Sequence, residues 1–395
     1  MGVGIAKSIG KTRASALTSK AAILVSPGAI DGYPPVQNQA ILLADAGFDV
    51  HIVTQLANAE DPEPRFHHAN THCYGKAPLG PGLVNAVRRS FGQISTLTRI
   101  RYRLRKQRVV EIAYDPLGVF YSDNALLRPR LRIAHLHESL KDLEGNKSEG
   151  RLLQSLKDYD LAITPDVSRS KLTQQQLGLV ELPTVVENYP LDNSGAKESA
   201  VPIRNNPHFE VVYCGAIGTS RSLDDIIRSV PHWRKDAIFR IYGNDETPVG
   251  HQLKQLAREL GVEKRVLFSG WINTEDLAHA MGKADLGICL FQNIKNYTAL
   301  GASNKRFQYM QAGLAQIGDM IPGVAEMLEG ERIGLSVRSF EPEAIAEAVN
   351  AYATDPERTR REGARAYELF KSRYNYETAF APVLDFIEKK IAAMP

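Results

Sequence analysis

Short runs rich in Val, Ile and Leu alternate with longer stretches of helical periodicity along most of this chain, and that alternation limits the fold more than any other feature. AAILVSPG (21–28) reads as a strand ending in a glycine loop, VQNQAILLADAGF (36–48) as a helix stopped by Gly47, and DVHIVTQ (49–55) as the next strand. RIAHLHES (132–139) and LAITPD (161–166) supply two more strands. After residue 208 the pattern restarts with FEVVYCG, AIFRIYG, RVLFSGW, DLGICL, LAQIGD and GLSV, each separated by helical sequence. Strands joined by helices build parallel sheets, so the class is α/β. Between the series, ENYPLDNSGAKESAVPIRNNPH (187–208) is rich in Pro, Asn and Ser and lacks periodicity, as a linker does. The expected organisation is a domain over 1–190, a linker over 191–207, a second domain over 208–372 and a terminal helix over 373–395, with ligand bound in a cleft between the domains.

The chain has 395 residues, enough for two domains, and 43% hydrophobic with 24% charged residues describes a soluble globular protein. A net charge of +3 does not mark a nucleic-acid binder, and none is expected. Cys73, Cys214 and Cys289 have no paired spacing, which fits a reducing compartment and neither a disulfide framework nor a cysteine zinc site. The run AAILV is too short for a signal peptide and no apolar stretch reaches membrane-spanning length, so a cytoplasmic location is expected, with contact at the inner membrane face.

Three segments imitate other functions. GIAKSIGKT (4–12) has five residues between its glycines where a phosphate-binding loop has four, and no strand precedes it; a basic tail is expected. FHHANTHC (66–73) holds His67, His68, His72 and Cys73, but the spacing matches no standard zinc arrangement; a loop lining a polar cleft is expected, and no metal. Residues 88–108 carry eight Arg or Lys and no acid. RIRYRLR within them fits a half-buried strand as well as a helix, and the segment reads as a solvated basic face or a surface for anionic lipid. Phe91 and Tyr102 are too few stacking aromatics for nucleic acid.

The chemistry is expected in the second series. GASNKRFQYMQAG (301–313) reads as a short helix with Lys305 in its first turn, where the helix dipole disfavours a cation. A bound anion would account for that lysine, since free N–H groups at a helix start favour phosphate. In VVYCGAIGTSRSLDDII a strand runs into small residues, then Arg221 and a helix. Loops at the carboxyl ends of parallel strands converge on one crevice, so Arg221 and Lys305 would face one diphosphate.

The order of these motifs resembles the retaining glycosyltransferases of family 4, the group 1 family, which have the GT-B fold of two Rossmann-like domains with parallel sheets facing a central cleft. The likeness runs through YCGAIGTSRSLDDII, IYG, RVLFSGWINTEDLAHAMGKADLGICL, SNKRFQYMQAGLAQI and GVAEMLEGERIGLSV, and more weakly through PPVQNQAILLADAGFDVHIVT, HLHES and VVENYP in the first half. It implies transfer of a sugar from a nucleoside-diphosphate sugar to a saccharide or lipid-linked acceptor, with retention and without metal or other cofactor, in cell-surface polysaccharide or glycolipid synthesis.

The resemblance places Arg221 and Lys305 on the donor diphosphate. Gly215 and Gly243 fall at donor-side strand ends, Ser303 and Asn304 at the lysine helix, and Phe268, Gly270 and Trp271 at the loop bordering the base. Gln308 falls on the ribose hydroxyls, and Glu326 lies before the last donor-domain strand. In the first half, His137 and Glu138 are the groups expected to position or deprotonate the acceptor hydroxyl, His135 is expected in the core, and Gly28 and Gly32 would let a loop pass close to donor or acceptor. Two departures stand out. Gln308 and Leu300 occupy the positions of the family's paired glutamates, and Ala216 replaces one of its two basic residues near Gly215. A sugar-nucleotide epimerase of the same shape and a non-catalytic nucleotide-sugar-binding subunit are the competing readings.

Overall fold

Lys20–Ala29 illustrates how the first sheet forms: residues 21–25 are a fully buried apolar run, as expected of a parallel strand covered on both faces, while Asp49–Gln55 buries Val50, Ile52 and Val53 together with His51 and Thr54. The computed structural model describes residues 20–394 apart from 59, 62, 138–153, 193–206, 273, 292–303 and 322. The glycine-rich segment at 4–12 and most of the 191–207 linker lie outside the described residues. The chain divides into two compact units, residues 1–186 with 380–395, and residues 187–379.

In the first unit, β1 (Lys20–Ala29), β2 (Asp49–Gln55), β3 (Thr71–Lys76), β4 (Arg108–Tyr114), β5 (Leu131–His135), β6 (Leu161–Thr164) and β7 (Thr184–Val185) form a parallel sheet in the order β3-β2-β1-β4-β5-β6-β7. The order reverses between β1 and β4, the switch point of a doubly wound sheet. The helix Pro34–Asp45 starts on two prolines. It stops at Gly47 (φ 83°), where Gly47 N–H donates to Ala44 and Phe48 N–H to Leu43, a Schellman closure.

Three strands were not foreseen, the shortest being the two-residue edge strand β7. RVVEIAY is β4, a central strand hidden in the sequence by the basic run before it and by Glu111 within it. Thr71–Lys76 is edge strand β3, so only the first half of FHHANTHC is a loop. The basic segment resolves as helix through Leu104, in Leu83–Leu104, and Arg101 is not part of any solvated face. Arg101 is 3% exposed; its Nε donates to Glu111 Oε2 at 2.8 Å and its Nη2 to Oε1 at 2.5 Å. Carbonyls of Ser122, Ala125 and Leu126 accept its remaining protons.

In the second unit, β8 (Phe209–Cys214), β9 (Ala237–Tyr242), β10 (Val266–Phe268), β11 (Leu286–Ile288), β12 (Ala315–Gly318) and β13 (Gly334–Ser336) form a second parallel sheet, ordered β10-β9-β8-β11-β12-β13. All six residues of β8 are buried. Its core gathers Val211, Tyr213, Phe239 and Ile241 with Leu223, Ile227 and Trp233. The switch point falls between β8 and β11, and the predicted cations come from the segments that follow these strands.

Candidate functional site

Where β8 ends, Gly215 turns the chain at φ 127°, a conformation side chains rarely adopt. A Cβ there would stand 2.5 Å from Lys305 Cε and 2.9 Å from its Nζ, so the lysine head lies directly against the glycine. Gly243, at the end of β9, is needed for a different reason: its Cβ would strike the Gly215 carbonyl at 2.2 Å. Gly243 N–H in turn donates to Gly270 at 2.8 Å, and Gly215 N–H to Tyr242 at 2.9 Å. These three glycines thus pack adjacent strand ends closely enough to leave main chain exposed beside Lys305.

Lys305 is the second residue of the helix Asn304–Gln311, which closes at Gly313 (φ 65°) through Gly313 N–H to Met310 and Leu314 N–H to Tyr309. Its ammonium lies 5.7 Å from the Phe291 ring centroid and 5.4 Å from that of Tyr213. The Arg221 guanidinium stands 4.8 Å over the same Phe291 ring. The two cations therefore converge on one aromatic ring, and among the described residues neither has a carboxylate partner. Burial holds the Lys305 amine below its ordinary range, with Arg221 acting in the same direction and the Cys289 thiol against it. Two like charges brought together beside a close-packed glycine turn are stabilised by an anion that touches both.

Phe291 is held by a group that sequence reasoning missed. Asp319, just past β12, accepts from Phe291 N–H at 3.1 Å and from Ile321 N–H at 3.1 Å. Arg306, 1% exposed, places its Nη2 3.6 Å from Asp319. A strand-end aspartate followed by Pro-Gly was the available signal.

Gln308 also reaches this point: the Cys214 thiol donates to its Oε1 at 3.7 Å. Burial pushes that thiol up to about 12, so it stays protonated. Asn304 opens the lysine helix and is half-buried, while Ser303 lies outside the described residues, as does Leu300. Phe268 sits at the end of β10 with Lys254 5.7 Å over its ring, and Lys254 is paired with Asp245 at 2.7 Å. Trp271, beyond Gly270, is 70% exposed. Glu326 is exposed in the first turn of the helix Val324–Gly330. Gly215, Lys305, Arg221 and Gln308 are thus brought together; Phe268, Gly270 and Trp271 group one strand further out.

In the first unit a second polar cluster occupies the switch point. Tyr33 donates its hydroxyl to Asp115 Oδ2, and His137 Nδ1 lies 2.7 Å from the same hydroxyl oxygen. An ionised carboxylate only accepts, so the Tyr33 proton points to Asp115 and the His137 Nδ1–H points to Tyr33. That leaves a lone pair on His137 Nε2, which is buried and has no hydrogen-bond partner among the described residues. Asp115 also accepts from His137 N–H at 2.8 Å and adopts φ 54°, strained for a residue with a side chain. Glu138 lies outside the described residues. Cβ atoms at Gly28 and Gly32 would meet nothing within 4 Å, so neither glycine is required for packing; the Gly28 carbonyl accepts from Thr54 Oγ1 at 2.8 Å.

His135, fully buried as its alternation implied, stacks on His137 at 4.0 Å and has Gln39 Nε2 2.7 Å from its Nδ1. Burial lowers both imidazoles below the usual 6.5, His135 well below with His137 acting in the same direction; on His137, Asp115 opposes the effect of burial and Arg169 adds to it. Between the folded and unfolded values the unfolded chain binds more protons, so acid destabilises this unit. The melting temperature is expected to fall as pH drops from about 7.5 to about 5.5, and His135→Phe to flatten that fall. Scanning calorimetry across this range checks it; an unchanged slope in the variant would assign the acid sensitivity elsewhere.

Residues 208–355 match the glycosyl transferases group 1 family. Over 94–95% of its length the chain superposes on sucrose-phosphate synthase from Thermosynechococcus elongatus (TM-score 0.66, 15% identity) and on Anabaena HepE in complex with UDP and glucose (TM-score 0.66, 14% identity), covering 100% of each. The fold is GT-B. A lipopolysaccharide core biosynthesis glycosyltransferase, LpsD of Rhizobium meliloti, is 25% identical over 184 residues, 47% of this chain and 50% of that protein. The chain thus spans about half the length of the curated relative it matches. Among the described residues no helix is long and apolar enough to cross a membrane.

Proposed function

We propose that the protein transfers a sugar from a nucleoside-diphosphate sugar to a saccharide or lipid-linked acceptor, with retention, in the assembly of a cell-surface glycan. The observation that carries this reading is the convergence of Arg221 and Lys305, two cations without carboxylate partners among the described residues, on Phe291 beside Gly215. Breaking the sugar–phosphate bond develops negative charge on the departing diphosphate. Charges already in place lower that barrier because they need no reorganisation. Lys305 and Arg221 supply this charge, so no metal is assigned to the step. Gln308, an amide that both donates and accepts, takes the ribose hydroxyls, and Trp271 with Phe268 borders the base. The HepE complex makes UDP the first nucleotide to test. In the first unit, the Nε2 lone pair of His137, aimed by Tyr33 and Asp115, takes the hydroxyl proton of the acceptor.

Thermal shifts with UDP-, GDP- and ADP-sugars, followed by donor consumption with and without lipid-linked acceptor, test the reading. Acceptor-dependent consumption of one donor is expected. Acceptor-independent isomerisation would indicate an epimerase, and binding without turnover a non-catalytic subunit.

A lipid-linked acceptor is consistent with the helix Leu83–Leu104. Leu83 (81% exposed), Val84, Val87 and Phe91 (73%) are exposed beside Arg88, with Arg99, Arg103, Arg105 and Lys106 exposed further along. Apolar residues flanked by cations suit the inner face of an anionic membrane, each cation adding about 1 kcal/mol. Sedimentation with phosphatidylglycerol vesicles should retain the wild-type chain and lose Val87→Asp/Phe91→Asp; equal sedimentation of both would remove the membrane from the account.

A further inference from the structure

The histidine-rich segment carries a feature that the donor site does not use. Asp49 and His51 alternate onto one face of β2, and His72 stands directly opposite His51 in the β2–β3 register. The three side chains meet. Asp49 Oδ1 lies 2.8 Å from His72 Nε2, and Asp49 Oδ2 lies 3.1 Å from His51 Nε2. One ligand atom from each falls within 4.8 Å of the others. Donors about 2 Å from a shared tetrahedral zinc ion stand roughly 3.3 Å apart, so small side-chain rotations bring all three onto one ion.

The surroundings favour a metal over a simple hydrogen-bonded cluster. His51 is buried, its side chain 6% exposed, and its second nitrogen, Nδ1, lies 3.0 Å from the Tyr74 hydroxyl. A histidine ligand characteristically donates its other N–H to such an oxygen, which directs the Nε2 lone pair at the metal. The His51 and His72 rings stack at 5.0 Å, which fixes both planes. Asp49 and His72 remain 40% and 53% exposed, leaving an entry path and room for a water ligand. The other members of the segment point elsewhere: His68 Nε2 pairs with Asp45 at 2.9 Å, and the Cys73 thiol faces the Phe66 carbonyl. The set is therefore two imidazoles and one carboxylate, which suits zinc and its neighbours and not magnesium or calcium.

We propose that Asp49, His51 and His72 bind one divalent transition-metal ion of the zinc class, which staples edge strand β3 to β2. The ligands lie at or near the amino-terminal ends of these strands, whereas the polar cluster of Tyr33, Asp115 and His137 follows carboxyl-terminal strand ends. The metal is thus a structural clip for an exposed sheet edge and takes no part in sugar transfer.

Calorimetric titration of the untagged, chelator-stripped full chain with Zn²⁺ tests this, with melting temperature as a second readout. One ion per chain is expected, together with a rise in melting temperature that Mg²⁺ does not give. His72→Ala and Asp49→Asn should abolish both effects, and His68→Ala should keep them. Tyr74→Phe, removing the oxygen behind His51, should weaken binding about 10–100-fold. Arg103 places a positive charge that acts on both His51 and Tyr74, so Arg103→Ala should tighten it. Absence of zinc binding by the wild-type chain, or wild-type affinity in His72→Ala or Asp49→Asn, overturns the assignment.

Discussion

Lys305→Ala is expected to reduce donor turnover by about 10²–10³-fold, because it removes a preplaced charge from the oxygen that becomes the leaving group. Its ammonium packs on Gly215 and shares Phe291 with Arg221; Arg306, 5.8 Å over the same ring, faces Asp319 at 3.6 Å instead. In binding alone, each charge-assisted contact contributes about 1.5–3 kcal/mol, and Arg221→Ala should weaken nucleotide affinity by a corresponding factor. The two losses should not add. Each cation raises the cost of holding the other without an anion, so removing one relieves part of the strain on its neighbour. Lys305→Arg should rescue poorly, since a guanidinium does not fit against Gly215, where Lys305 Cε already stands 2.5 Å from an added Cβ. Steady-state kinetics of the wild-type chain, the three single variants and Lys305→Ala/Arg221→Ala check these outcomes.

The largest loss of stability is expected at a position far from either ligand. Arg101→Ala leaves the Glu111 carboxylate fully buried in β4 without its bidentate partner, at a cost of about 3–5 kcal/mol. Ser122 Oγ, 2.5 Å from Glu111, cannot replace two charged donors. Replacing both partners, as in Arg101→Met/Glu111→Leu, should recover most of that stability, because neither member of the pair is then left buried without the other. Urea unfolding of the two variants distinguishes this from simple packing loss, which the double substitution would not repair.

The second sheet was fully legible in the sequence because each of its strands is apolar and bounded by a glycine, a polar turn or a helix start. FEVVYCG and AIFRIYG could hardly be anything else. The first sheet was less so. β4 contains a buried glutamate whose partner, Arg101, lies in the preceding helix amid surface arginines, so both looked like solvent-facing residues until the fold paired them. Lys305 was legible through its conflict with the helix dipole, and Arg221 through its place after a strand. Phe291 and Asp319 were not, since they act by holding other groups. The same limit hid the Asp49, His51 and His72 cluster: its ligands sit on two strands, and only the pairing of His51 with His72 joins them. The first unit's Tyr33 and Asp115 are again partners of a foreseen residue, His137, brought together across three loops.

The most direct measurement is a calorimetric titration of UDP, GDP and ADP, each beside its free nucleoside, into the wild-type chain and Lys305→Ala. One diphosphate should bind the wild-type chain far more tightly than its nucleoside, and the variant should lose most of that difference. A diphosphate preference that survives the substitution intact, or no preference in the wild-type chain, would contradict a donor site built on Lys305 and Arg221.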